Sequence, residues 1–321
     1  MGSKLVRFIT LLLASTLLTF ILINLSPIDP IKEYTMGNPS ISAEQREKIA
    51  ERWGMNDSPA ARYWKWLRLI LSGNWGESIV YRQPVLRVIM ARMKNTLLLM
   101  TVSWVSSGVL GYFLGALMGA FENSWWDRIL KKVFLALSSV PTYWLGLLLL
   151  MIFSVMLKWF PIGFSSPIGV VATEVTWGQR LYHLILPALT LCLVSMSSLV
   201  LYTRQNVIEV FHSDYVLFAY ARGLSKWQVF KKHGIKNTLG SGLILQFSSF
   251  AELFGGSILA ENIFSYPGLG TAITTAGLKS DVPLILGITL FSVLFVFVGN
   301  FIADILHRKI DPRIKRGMIY G

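Results

Sequence analysis

Few residues in this 321-residue chain could do bond-breaking chemistry. The four histidines are His183, His212, His233 and His307, and none has a second histidine three to five residues away, the spacing that sets two imidazoles on one helical face around zinc. No pair of carboxylates shares an apolar run, and no G-x-x-x-x-G-K-[ST] loop is present to cradle nucleotide phosphates. The single cysteine, Cys192, lies inside an apolar run, which excludes an intrachain disulfide and Cys-rich metal sites. Glu252 is the one ionisable residue well inside such a run, beside Gly255 and Gly256. A carboxylate there is costly unless it faces a cavity or a partner, where it could attract a cationic group; a hydrogen-bonded role between helices is equally open. A lone carboxylate is a poor metal site, so no metal is assigned. Small hydroxyls on two other runs, Ser103 and Ser195 among them, serve either close helix packing or the lining of a pathway.

A second kind of chemistry, recognition of another protein, is suggested by residues 214–237. Ala219 and Ala221 sit in a short helix from Asp214 that ends at Gly223, whose tolerance of positive φ suits a C-cap, and Ser225 can cap a second helix. That second helix carries Trp227 and Phe230 on one side with Lys231 and Lys232 nearby. An apolar knob with a basic rim could enter a groove on another protein, or lie on a membrane surface.

The elements that position these residues are membrane spans. The chain is 53% hydrophobic and only 15% charged, and its +13 balance is spread between apolar runs rather than gathered on a soluble face, which argues against nucleic acid. Six stretches of about 20 apolar residues can cross a bilayer as helices: Phe8–Leu25, Thr96–Ala120, Val133–Leu157, His183–Tyr202, Gly242–Ala260 and Leu284–Leu306. The first is too long, and lacks the A-x-A site, for a cleaved signal. Pro141 and Pro187 interrupt two of these runs and are candidate hinges or kinks. Sixteen of the 30 Lys and Arg fall in the N-terminus, the 121–132 and 203–237 loops and the tail, against three in the 158–182 and 261–281 loops, which places both termini inside. The remaining 27–94 segment is organised. Ser42 and Gln45 form a capping box opening a polar helix that stops at Gly54, and Ser58-Pro59 starts another carrying Trp64, Trp66, Leu67 and Leu71, a face suited to the outer headgroup level, to a lid or to a partner. The organisation expected is 1–26 with the first span, 27–94 as an extracytoplasmic helical segment, and 95–321 as the core with the other five spans and a cytoplasmic tail at 307–321.

The 214–237 stretch resembles the coupling loop, or EAA motif, of permease subunits from binding-protein-dependent ATP-binding-cassette (ABC) importers, most closely the dipeptide/oligopeptide/nickel branch. The likeness runs through Leu25-Ser26-Pro27-Ile28-Asp29-Pro30, Pro84-Val85, Asn95-Thr96-Leu97, Ser139-Val140-Pro141-Thr142-Tyr143-Trp144-Leu145-Gly146 and Leu184-Ile185-Leu186-Pro187-Ala188-Leu189. It continues in Asp214-Tyr215-Val216, Ala221-Arg222-Gly223-Leu224, Glu261-Asn262-Ile263-Phe264-Ser265-Tyr266-Pro267-Gly268-Leu269-Gly270 and Asp311-Pro312-Arg313-Ile314. Where the broad motif has glutamate six residues before its glycine, Leu217 stands here, so no ion pair from that position is expected.

The resemblance implies an all-α integral membrane protein with six transmembrane helices and the type I ABC importer permease fold, in a prokaryotic inner or plasma membrane. It implies an alternating-access subunit, not an enzyme, that imports small peptides or nickel and other metal chelates. Its partners would be a second homologous permease in a heterodimer, two ATPase subunits that bind ATP and Mg, and an extracytoplasmic solute-binding protein; this chain itself needs no cofactor. Asp214, Tyr215, Ala219, Ala221, Arg222, Gly223, Leu224, Ser225, Lys226, Trp227 and Phe230 are the residues expected at or near the ATPase, and Glu252, Ser195 and Ser103 along the substrate path. The glutamate ahead of a Gly-Gly pair resembles the nickel-type branch and tilts the expectation toward metal. An ion-coupled secondary carrier, disfavoured by the scarcity of intramembrane charge, and a non-transporting assembly subunit are the alternatives.

Overall fold

The computed structural model describes residues 2–27, 31, 42–52, 56–171 and 174–310. Residues Ile28-Asp29-Pro30, Gly54 and the Asp311-Pro312-Arg313-Ile314 motif, with most of the expected tail, lie outside them. The described residues are helical and form no strand beyond an isolated bridge between Glu77 and Pro84. In chain order the helices are α1 Gly2–Asn24, α2 Ala43–Arg52, α3 Pro59–Leu71, α4 Val85–Ala120, α5 Trp125–Ser139, α6 Thr142–Leu149 with a π-helical continuation Leu150–Met156, α7 Trp177–Phe211 and α8 Asp214–Ala221. They continue as α9 Lys226–Val229 with a π-helical turn Phe230–Gly234, α10 Ile235–Ser248, α11 Phe250–Ile263, α12 Leu269–Leu278 and α13 Val282–Ile310. Four are long and apolar enough to cross a bilayer, over Val6–Asn24, Val85–Ala120, Trp177–Phe211 and Val282–Leu306, and two bent pairs bring the spans to six.

Those bent pairs correct two expectations. Val133–Leu157 is not one straight span: α5 and α6 meet at 111° around Pro141. Proline cannot donate to the preceding turn and pushes its neighbour out of helical geometry, and Val140 accordingly takes φ −86, ψ 124. Gly242–Ala260 is likewise broken by 50° at Ser249, whose hydroxyl donates to the Gln246 carbonyl at 2.9 Å. By contrast Pro187 is buried within the single helix α7. That helix starts six residues before the expected span because Thr176 and Gln179 form a capping box, and it runs nine residues past Tyr202, so the first part of the 203–237 loop is helical.

The chain groups into two units, Met1–Thr96 with Pro267–Phe297, and Leu97–Tyr266 with Val298–Gly321. In the first, the start of α4 (Val85, Val88, Ile89, Met93) packs with α12 and the start of α13 in a core that includes Leu269, Ala272, Leu284 and Ile288. Asp281, fully buried, ties this core together, accepting from Ser78 Oγ at 2.5 Å, Val80 N at 3.0 Å and Leu284 N at 3.2 Å. The second unit contains the coupling-loop candidate. There α4 crosses α7 along Gly111, Gly115 and Gly119, where an added Cβ would meet the Val200 carbonyl oxygen at 2.5 Å and that of Arg204 at 2.6 Å. Small residues four apart let two backbones touch, which lipid-embedded helices need because apolar burial gives them no drive to associate.

Candidate functional site

The 214–234 segment is a prebuilt helix–turn–helix. Gly223 has φ +82; its N–H donates to the Tyr220 carbonyl at 2.9 Å, and the Leu224 N–H donates to that of Ala219 at 3.2 Å, the paired bonds of a Schellman cap. Ser225 opens α9 with a capping box: its backbone N–H donates to Gln228 Oε1 at 2.8 Å, and the Gln228 N–H donates to Ser225 Oγ at 3.4 Å. Beneath the turn Val216, Ala219 and Val229 are buried against Val210, Phe211, Tyr220 and Leu224.

Burial divides the expected contact residues into two sets. Ala219 and Phe230 face inward, Phe230 in a cluster with Tyr112, Ala116, Leu199 and Val207, so they hold the loop's shape and are not on its surface. Val216, from the quoted motif, is buried too. Leu224 is half-buried, whereas Asp214, Tyr215, Ala221, Arg222, Gly223, Ser225, Lys226 and Trp227 are exposed. The exposed knob is therefore Trp227 without Phe230, stacked on it at 5.2 Å and capped by Lys231 Nζ at 5.2 Å from the indole. Leu217 and Phe218, 58% and 65% exposed, complete an apolar surface that sequence reasoning missed; their two-residue run breaks no pattern. Arg222 lies over the Phe218 ring at 5.9 Å.

Two contacts join the loop region to the start of the α4–α5 connection. Lys226 Nζ sits 4.9 Å from the centre of the Phe121 ring, and His212 Nε2 lies 3.6 Å from Glu122. Just beyond, Arg204 on α7 makes a two-pronged contact with Asp127 in the first turn of α5, Nε to Oδ1 at 2.7 Å and an η-nitrogen to Oδ2 at 2.9 Å, both residues buried. The Asn123 N–H also donates to that carboxylate at 3.0 Å. The signals in the sequence are Ser124 as N-cap three residues before Asp127, and a helix that continues past Tyr202. Between α7, α8 and α10 a polar cleft of about 350 Å³ opens, lined by Tyr202, Asn206, Glu209, Tyr215, Asn237 and Ser241.

The three path candidates differ in exposure. Ser103 is fully buried and donates to the Leu99 carbonyl at 2.7 Å in its own helix, a packing arrangement. Ser195 is half-buried on α7, and Glu252 is exposed on α11. A different carboxylate is hidden: Glu261 is fully buried in the last turns of α11. Its neighbour Tyr266 is pushed up to about 12, chiefly by burial and then by Glu261, with Arg180 opposing, so that hydroxyl stays protonated at neutral pH. The turn is closed by the Tyr266 N–H donating to the Glu261 carbonyl at 2.8 Å and by the Phe164 N–H donating to that of Phe264 at 2.9 Å.

The described residues thus carry four membrane-length apolar helices, six spans with the two bent pairs, and a capped helix pair following α7, and similarity to known proteins gives the class. Residues 111–316 match the family described as "binding-protein-dependent transport system inner membrane component", and the chain belongs to that family. It is 38% identical over 309 residues to the oligopeptide transport system permease protein AppB of Bacillus subtilis (strain 168), covering 96% of each chain. It is 31% identical over 314 residues to the glutathione transport system permease protein GsiC of Salmonella paratyphi A, covering 97% of each. Among solved structures, a chain of the inward-facing MetNI methionine ABC transporter superimposes with a TM-score of 0.57 at 15% identity, over 70% of this chain and 97% of that one, a likeness of fold. The protein is thus a multi-pass membrane permease of the ABC importer type.

Proposed function

We propose that this chain is one of two different permease subunits of an ATP-driven peptide importer, and that its 214–234 helix pair seats in a groove on a separate ATPase subunit at the cytoplasmic face. The observation that carries this is the loop itself: a Schellman cap and a capping box fix two short helices whose exposed face presents Leu217, Phe218 and Trp227 rimmed by Arg222, Lys226 and Lys231. A rigid apolar knob with cationic edges fits a groove on a partner, and α9 continues through its π-helical turn into α10, which meets α11 at the Ser249 bend, so a push on the loop is delivered to a membrane-spanning pair. ATP and Mg bind on the partner subunits, whose closure moves the loop; this chain presents and shuts the path. Both termini lie inside and the 27–94 segment outside, where a solute-binding protein docks. Peptide is favoured over nickel as the substrate class because the relatives just described carry oligopeptide and glutathione in their names. Exposed Glu252 would meet the amino end of such a substrate.

The test reconstitutes the chain with its partner subunits in liposomes and follows ATP-dependent peptide uptake. Valine at position 223 would be held at φ +82, a conformation costing an L-residue roughly 1–2 kcal/mol and more with a branched Cβ. Gly223→Val is expected to insert and assemble with its permease partner but to lose coupling between ATP hydrolysis and uptake. Normal coupled uptake by this variant would refute the role given to the loop.

A further inference from the structure

The depth of α3 beside α1 shows what its exposed face must meet. Tyr63 of α3 is buried against α1: its hydroxyl lies 3.0 Å from Thr16 Oγ1, and its ring centre lies 5.5 Å from that of Phe20. The Val6–Asn24 span of α1 is 19 residues long, about 28 Å, so it matches a hydrocarbon core with little to spare. Thr16 is eight residues short of Asn24, roughly 12 Å below the end of that span. A tyrosine side chain is shorter than that, so the backbone of α3 itself lies below the end of α1, within the leaflet that holds Asn24. Arg62 reaches the other way, its guanidinium bonding the Asn24 side chain.

The rest of the α3 surface is graded, with an apolar stripe about a quarter-turn round from Tyr63 and a basic stripe on the side away from it. Trp64 and Leu71, seven residues apart and therefore on one stripe, are 59% and 80% exposed. Lys65 and Arg68 are exposed on the adjoining stripe, with Asp57 at 3.8 Å from Lys65 Nζ. Pro59–Leu71 contains three basic residues and no acidic one. A helix at this depth with an apolar stripe beside a basic one has the charge and geometry of a segment lying in a bilayer interface. We infer that α3 is an in-plane membrane anchor, Trp64 and Leu71 entering the acyl region while Lys65 and Arg68 hold anionic phospholipid headgroups. This rests on the membrane placement of α1 and not on the role proposed for the coupling loop.

Single-cysteine variants of the full chain, made in a Cys192→Ala background and carrying an environment-sensitive fluorophore, test it in vesicles of mixed phosphatidylglycerol and phosphatidylcholine. Probes at Trp64→Cys and Leu71→Cys are expected to be quenched by brominated acyl chains and little by aqueous acrylamide, and a probe at Lys65→Cys the reverse. Leu71 is too exposed for its replacement to threaten folding, so it answers the question if Trp64→Cys does not fold. Brominated phosphatidylglycerol should quench the Leu71→Cys probe better than brominated phosphatidylcholine, and Lys65→Gln with Arg68→Gln should bring the two to parity, since each basic residue at an anionic surface is worth roughly fivefold in binding. Strong acrylamide quenching at 64 and 71 would overturn the inference in favour of a solvent-facing docking surface. Protection from both quenchers would overturn it in favour of a face covered by protein, and parity of the two lipids in the unsubstituted helix would overturn the headgroup contact.

Discussion

At the scale of single residues, the contrast between Asp127 and Glu252 sets the expectations. Asp127 and Arg204 are both buried and hydrogen-bonded, so removing one charge strands the other in a low-dielectric interior. Asp127→Asn is expected to cost about 3–5 kcal/mol, seen as a lowered unfolding midpoint of the purified chain in detergent, whereas Asp127→Leu with Arg204→Met together should recover most of that loss. Equal midpoints for the single and double variants would show that the pair is not what Arg204 needs. Glu252 is exposed and supports no such network. Glu252→Gln should leave the midpoint unchanged and raise the KM for peptides with a free amino end on the order of tenfold, the worth of one ionic contact of about 1.4 kcal/mol. Glu252 was legible because an acid stands out in an apolar run, but Asp127 and Arg204 were not, because each falls in a charged loop outside the apolar runs and only packing shows that they meet.

Among the elements, the coupling helices were the most legible, since Gly223 and Ser225 are local signals acting within four residues of themselves. Ser225→Ala removes one capping contact, worth about 1 kcal/mol, and is expected to lower the uptake-to-hydrolysis ratio by less than Gly223→Val does. Both ratios come from the same reconstituted complex, and a larger loss from Ser225→Ala would argue that the cap, and not the turn, fixes the loop. Harder to read were the bends. Pro141 and Pro187 carry the same local signal, yet one ends a helix at 111° and the other is absorbed within α7. The difference is tertiary: Pro187 is packed on every side, and neighbours can hold a helix through a missing donor. The break at Ser249 has no proline at all; there Phe250 packs onto Gly299, where an added Cβ would meet its ring at 2.2 Å.

For the whole molecule, sidedness is the property that every functional statement needs. With Cys192 buried, a Cys192→Ala background makes Trp227→Cys and Glu174→Cys clean reporters. A membrane-impermeant maleimide should reach position 174 in intact cells and position 227 only in inside-out vesicles. Labelling of position 227 from outside would invert the topology and end the ATPase reading, because the loop would face away from the nucleotide.

What the sequence determined by itself was the existence of the spans, their expected sidedness and the shape of the coupling loop, because hydropathy, charge bias and helix caps all act over short stretches of chain. The tertiary structure decided the rest: which loop residues are buried, that Gly111, Gly115 and Gly119 form a crossing seam, and that Asp127 meets Arg204 across 77 positions of chain. Those are long-range pairings, and in a bilayer they depend on close fit and buried polar contacts, for which a run of apolar letters carries almost no signal.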